Sequence, residues 1–228
     1  NWWYEAIGRF DSWEQIANYP VDNDRKGNRT VVPGDIMYKD QNNDGVINYL
    51  DERPIVYRVD STPTLNFGIN LSASWKGFDL AMDWTGSGMT SWNQCYETAR
   101  PFQNDGNSPD EVLKDAWHLS DIWDANSPLI PGKYPMVRLN TDETSAYDKS
   151  SYWLHNVTYL KLRNLEVGYT FPKTWLNRTG ISNLRLFVSG TNLLTLSNLS
   201  VMDPECASDN GLDYPPMRVI NIGVNLKF

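Results

Sequence analysis

Cysteine and histidine are scarce in this 228-residue chain. Two of each, Cys95 and Cys206, His118 and His155, leave no room for a zinc cluster or a disulfide-dense scaffold. No stretch approaches the roughly 18 apolar residues of a membrane helix, which excludes helical membrane proteins. Basic charge is short too. Lys and Arg number 20 against 28 Asp and Glu, for a net charge of −8, whereas nucleic-acid binding needs a basic face. The start, Asn1-Trp2-Trp3-Tyr4, has neither an initiator Met nor a basic and apolar leader, so no signal peptide is read there. The chain is expected to be processed or to be a piece of a longer one. Enzyme signatures are missing as well. Gly86-Ser87-Gly88 lacks the nucleophile-elbow spacing, and His118 and His155 stand far apart without a Cys or Ser partner. Carboxylate pairs such as Asp110-Glu111 and Asp142-Glu143 fall in connections, where acidic residues are ordinarily solvated.

What is plentiful is aromatic surface: 13% of residues, with 10 Trp and 12 Tyr. That content excludes disorder. It fits either a ligand-binding β-protein or a membrane β-barrel, whose alternating strands hide an apolar face from any averaged hydropathy.

The strands carry the strongest signal. Leu65 to Trp75 places Leu65, Phe67, Ile69, Leu71, Ala73 and Trp75 on one face, with Asn, Gly and Ser on the other. Lys76-Gly77 reads as a two-residue turn into a second run starting at Phe78, hence a long hairpin. A third run spans roughly Val157 to Phe171. Its halves are out of phase, which predicts a bulge near Arg163-Asn164. A fourth covers Asn183 to Leu193, and a fifth Arg218 to Phe228. Short connections (Lys76-Gly77, Pro172 to Ser182) alternate with long ones (about Gly86 to Tyr152, Leu194 to Met217).

The polar positions hold Asn, Ser, Gly and Asp, as a watery lumen would, rather than the Lys, Glu and Thr of a soluble sandwich. Trp75, Phe78, Tyr169, Phe171 and Phe228 cluster beside short turns and the chain end, as an interfacial girdle does. The fold class is therefore all-β: strands and extracellular loops of a large antiparallel transmembrane β-barrel. Five strands cannot close such a barrel, whose smallest form has about eight, and two open edges cannot face lipid. The expected organisation is a loop region over residues 1–64 and about five barrel strands with long loops over 65–228.

Several phrases then resemble one family. Pro33 to Ile55 (PGDIMYKDQNNDGVINYLDERPI), the hairpin TPTLNFGINLSASWKGFDLAMDWTGSGM, Tyr159 to Asn198 and the final DYPPMRVINIGVNLKF are similar, in order, to the C-terminal barrel segment of SusC/RagA-like TonB-dependent outer-membrane transporters. Thr191 departs from that pattern, which usually has Gln there. The resemblance implies a barrel of about 22 strands in the outer membrane of a Gram-negative bacterium. It also implies import of a glycan or, second, a peptide, with a SusD-like surface lipoprotein as lid. The plug and TonB box lie outside these residues, so the TonB complex would be met through another part. Two readings stay open beside it: a soluble secreted calcium-stabilised glycan-binding β-domain, and a non-transport scaffold barrel.

Two sets of residues are candidate sites. Asp40, Asn42, Asp44, Val46 (through its carbonyl), Asn48 and Asp51 fit a twelve-residue calcium loop with Gly45 at its sharp turn. The alternative is an Asx-rich turn, a common role for an N-D-G sequence. Trp92, Tyr96, Trp117 and Trp123, in the long connection, are candidate substrate-stacking aromatics; packing in that segment's own core is the other reading. Cys95 and Cys206 both fall in connections on the oxidising side, which allows a disulfide.

Overall fold

A computed structural model describes residues 2–55, 63–139, 143–177, 180–200, 202–205, 210–211 and 213–228. The strands are β1 (Ala6–Arg9), β2 (Ile36–Tyr38), β3 (Leu65–Trp75), β4 (Phe78–Asn93), β5 (His118–Leu119), β6 (Leu129–Ile130), β7 (Leu154–Thr170), β8 (Asn183–Ser197) and β9 (Val219–Lys227). Short helices are α1 (Trp13–Ala17), α2 (Asp110–Lys114) and α3 (Lys173–Leu176). The chain forms two compact units that interleave in sequence. One holds Asn1–Asp60, Ser91–Asn156 and Ala207–Asp213; the other holds Ser61–Thr90, Val157–Cys206 and Tyr214–Phe228. Cys206, half of the suggested disulfide, and Asp142 lie outside the described residues.

The second unit is a five-stranded sheet in the order β3-β4-β7-β8-β9. Its strands arise where the sequence alternates. β3 matches the expected Leu65 to Trp75, and the pairing with β4 runs unbroken from Leu65↔Gly88 to Trp75↔Phe78. The turn takes positive φ at both Lys76 (48°) and Gly77 (90°), the twist that suits a two-residue hairpin. Gly77 has a second reason to lack a side chain, since a Cβ there would meet the Thr170 carbonyl at 2.7 Å.

Two strands run further than the alternation suggested. β4 continues to Asn93, past the expected start of the long connection at Gly86. Its Gly-Ser-Gly stretch dilutes the apolar signal without breaking the ladder. β8 continues to Ser197, past the expected end at Leu193. Between them the bulge is present. Leu162 pairs with Leu194 but Asn164 with Thr191, so two steps on β7 face three on β8. The extra residue sits on β8, where Asn192 takes a φ of +54°. Leu160 and Leu162 therefore pair with Leu196 and Leu194 above the bulge, while Leu165 and Val167 pair with Gly190 and Val188 below it. The phase change in the third run is the trace of this bulge.

The apolar face of this sheet is uncovered. Leu65, Ile69 and Leu71 on β3, Val167 on β7, Leu186, Val188, Leu194 and Leu196 on β8, and Ile220, Val224 and Leu226 on β9 are all exposed, and Ile222 reaches 83%. At the turn end, Phe78, Tyr169, Phe171 and Trp175 form a chain of ring contacts at 4.5, 5.0 and 5.9 Å. Trp75 and Phe228 are exposed near the strand ends. Trp175, on α3 in the short connection, joins this aromatic row although strand periodicity could not flag it.

The first unit is mostly irregular and organised around aromatic packing. β1 and β2 pair antiparallel, from Ala6↔Tyr38 to Arg9↔Ile36. Ser12 caps α1 by accepting the Gln15 amide. Tyr4, Ile36, Tyr38, Ile47, Val112, Tyr134, Tyr147 and Trp153 make the main core. Buried loops need partners for their backbone groups, and side chains supply them. Asn23, fully buried, donates to the Ile36 carbonyl and the Ser145 hydroxyl and accepts the Tyr38 amide. Asp24 accepts from the amides of Lys26, Asn28 and Thr30.

On the sheet's polar face, Gly168 is the floor on which the Arg185 guanidinium lies, since a Cβ there would collide with it. Gly168→Val is expected to swing Arg185 away from Asp79 and Glu166 and to lower stability through the loss of those charge-assisted hydrogen bonds. Denaturant unfolding of the full-length protein measures the loss. Adding Asp79→Ala on that background should cost little more, because both changes break one interaction; fully additive losses would refute the coupling.

Candidate functional site

The polar face of the sheet concentrates most of the ionic chemistry in its unit. Arg185 on β8 donates through Nε to Asp79 Oδ1 (3.1 Å) on β4 and through Nη2 to Glu166 Oε1 (2.6 Å) on β7; Nη2 also pairs with the second Asp79 oxygen. Asn164 donates to Asp83 at 3.2 Å. Beyond the bulge, Lys161 is 1% exposed, and its Nζ donates to Asp203 at 2.9 Å and to Glu205 at 2.8 Å. Arg163 pairs with the other Glu205 oxygen, and the Tyr159 hydroxyl lies 3.2 Å from it. Asp203 and Glu205 come from the β8–β9 connection. Sequence reasoning missed this cluster. The charged alternation Lys161-Arg163 was visible, but its partners lie some forty residues away on a connection with no strand pattern.

Two hollows lie on this face. One of about 450 Å³ is lined by Asn66, Gly68, Thr85, Ser87, Tyr159, Arg163 and Glu205, among others. Another of about 340 Å³ is lined by Asp83, Asn164, Glu166, Ser189 and Thr191, among others. Fixed donors and acceptors around such hollows suit reversible binding of a polar ligand. The described residues there present no nucleophile paired with a base.

The four candidate stacking aromatics separate into two kinds. Trp92 is buried at the end of β4, stacked on His155 at 5.5 Å. Trp117 is buried against Gly34, whose missing side chain makes its space, with Arg9 over its ring at 5.8 Å. These two are core residues, so their faces are not offered to a ligand; the packing reading holds for them. Tyr96 is exposed and lines a hollow of about 210 Å³ with Cys95, Arg100, Tyr147 and Asp148. Trp123 is 90% exposed. It sits on the β5–β6 connection, which the side chains of Asp121, Asp124 and Ser127 hold by hydrogen bonds to its own backbone. Burial pushes Tyr147 and Tyr152 up to about 12 and raises Asp148, whose ionised form is held by Arg25 at 2.8 Å.

The calcium-type loop is closed by its own groups. Asp40 accepts the amides of Asn43 and Gly45. Asp44 Oδ1 accepts the Val46 amide, while its Oδ2 receives Asn42 Nδ2 at 2.8 Å and Asn48 Nδ2 at 3.4 Å. Asn48 Nδ2 also reaches the Val46 carbonyl at 3.2 Å. Asn42, Asp44, Val46 and Asn48 thus converge. Asp51 does not offer an open oxygen. It is fully buried, and its two oxygens accept the amides of Gln41 and Asn48. Among the described residues, no three His, Cys, Asp or Glu side chains are arranged to hold a metal.

No family model matches the chain. It is 30% identical over 242 aligned residues to TonB-dependent receptor P3 of Formosa agariphila, an alignment covering 98% of this chain and 22% of that protein. It is 31% identical over 84 residues to TonB-dependent receptor SusC of Bacteroides thetaiotaomicron, covering 35% of this chain and 8% of SusC. In structure, it matches the RagAB peptide transporter over its whole length with a TM-score of 0.63 at 22% identity, covering 22% of that chain. The closed-closed state of the RagAB peptide importer gives 0.65 at 21% identity. The chain thus spans about a fifth of the length of its full-coverage relatives. Over its whole length the chain is thus similar to a segment of TonB-dependent receptors of the SusC/RagA kind, and its fold is that of a segment of their barrel.

Proposed function

We propose that this chain forms part of the barrel wall of a TonB-dependent importer in the outer membrane of a Gram-negative bacterium. Its substrate is a glycan or a peptide, passing along the polar face of the sheet. A SusD-like surface lipoprotein partners the extracellular side, and the TonB complex acts through parts of the protein outside these residues. The observation that carries the reading is the sidedness of the sheet. Each large apolar side chain removed from water stabilises by about 1.5–3 kcal/mol, so water would not leave Leu, Ile and Val exposed along one face on four of the five strands. Hydrocarbon does. That exposure disfavours the soluble glycan-binding alternative. The hollows and fixed polar groups of the opposite face favour transport over a passive scaffold.

Tyr96 and Trp123, the two exposed candidates, would contact a substrate or the lipoprotein. The loop from Asp40 to Asp51 is the place for a structural calcium ion. The Asn42 and Asn48 oxygens now accept the Asp44 and Leu50 amides, and a bound ion would draw them away from those amides toward Asp44 and the Val46 carbonyl. Asp40, Asn42, Asp44, Val46 and Asn48 would then hold the ion, with Asp51 shaping the loop from inside.

Three outcomes are expected of the full-length protein. Val224→Arg should destabilise it by about 2–4 kcal/mol if Val224 lies near the bilayer midplane, while Asn221→Arg on the opposite face should be tolerated. Unfolding in denaturant reads the difference, and equal losses would sink the assigned faces. Deleting the gene should abolish growth on the imported polymer while leaving surface lipoproteins in place; loss of those lipoproteins with uptake intact would favour the scaffold. Terbium luminescence sensitised by the exposed Tyr49 should saturate, be competed by calcium and vanish in Asp44→Ala. A flat titration removes the ion from the account.

A further inference from the structure

We infer that the hollow beside the bulge between β7 and β8 is a saccharide subsite, taking one uncharged sugar unit through Asn66, Tyr159, Arg163 and Glu205. The inference rests on the polar face lining the import path and deepens that reading by naming a site and a ligand class. The site is a wide, open hollow of about 450 Å³, enough to seat one sugar ring against the wall without enclosing it. Its floor is flat at Gly68, where an added Cβ would meet nothing closer than the Trp84 carbonyl at 3.6 Å.

Three features choose the ligand. The first is charge balance. Lys161 and Arg163 face Asp203 and Glu205, two cations against two anions, so the cluster offers no net attraction for a charged ligand. The second is preorganisation. Glu205 is held by buried Lys161 at 2.8 Å, by Arg163 and by the Tyr159 hydroxyl at 3.2 Å, and Arg163 is steadied by Asn192 at 3.2 Å. Glu205 remains 16% exposed and Arg163 36%. A planar carboxylate beside a planar guanidinium presents adjoining acceptors and donors. Neighbouring hydroxyls on a sugar ring, each both donor and acceptor, match that arrangement. The third concerns peptides. Across the floor the β3 and β4 backbones are already paired, Asn66 with Ser87 and Gly68 with Thr85. β3 keeps its outer edge at the rim of the sheet, but the floor between β3 and β4 offers no backbone groups to a peptide main chain, so recognition on it comes from side chains. Thr85 lines the same hollow, and its hydroxyl oxygen is buried without a partner.

The test uses the full-length receptor, purified in detergent and titrated calorimetrically with neutral oligosaccharides and, separately, with oligopeptides of similar size. Wild type should bind at least one oligosaccharide saturably. Arg163→Met, which leaves Lys161 to hold Glu205, should weaken that binding about tenfold or more, as loss of a charged hydrogen bond does. Asn66→Leu should also weaken it, and Val224→Ala on the apolar face should not. Retained heat-dependent mobility on gels shows that each variant barrel has folded; if Arg163→Met fails this check, Asn66→Leu carries the test. Undiminished affinity in the folded variants overturns the subsite, as does saturable binding of peptides alone or no binding by wild type. Recovery of the receptor outside the outer-membrane fraction would instead sink the import reading on which the subsite rests.

Discussion

Arg185 grips carboxylates on two neighbouring strands, and the sidedness of the sheet follows from that grip. A slip of one residue in any strand would carry its side chains to the other face. Arg185 would then point into the apolar surface, while Leu186 and Val188 would turn among Asp79, Asp83 and Glu166. Ion pairs on one face and uncovered aliphatic side chains on the other thus enforce a single register. The bulge is where this rule is suspended. There Arg163 and Asn164, adjacent in sequence, both find partners on the polar face, so the strand changes phase without losing its neighbour.

The two units solve the problem of backbone hydrogen bonding by different means. In the sheet, ladders satisfy nearly everything, and side chains are free to specialise by face. In the first unit ladders are short, and buried Asn23, Asp24 and Asp35 take over the work: Asn23 and Asp35 join segments distant in sequence, and Asp24 closes its own loop. A polar side chain in that setting is scaffolding. This is why Asp51, which reads as a metal ligand, is found holding two amides instead.

Much of the sheet was legible because period-2 alternation is a direct consequence of strand geometry, and it was long enough here to show five runs and a phase break. The end of β4 was not, because glycine and serine between Gly86 and Ser91 carry no facial preference, and the end of β8 was not, because the bulge at Asn192 interrupts its run. Trp92 and Trp117 mark a deeper limit. An aromatic residue in a loop has the same letter whether it faces ligand or core, and only packing separates them. The Lys161 cluster was hidden for another reason. One half of it sits on an alternating strand and the other on an irregular connection, and nothing local ties Lys161 to Glu205.

The two-residue turn at Lys76-Gly77 bears on how such a sheet is assembled. Pairing β3 with β4 closes almost no loop, so the entropy lost in bringing them together is small, and each added pair extends a ladder already begun. Pairing β4 with β7 must first draw together the ends of a connection about sixty residues long. Contacts of such different sequence separation form at different rates. The hairpin is a local event on the microsecond scale, and it can precede the ordering of the intervening segment. A strand pair of this kind is a seed presented early, with one edge still open to receive its neighbour.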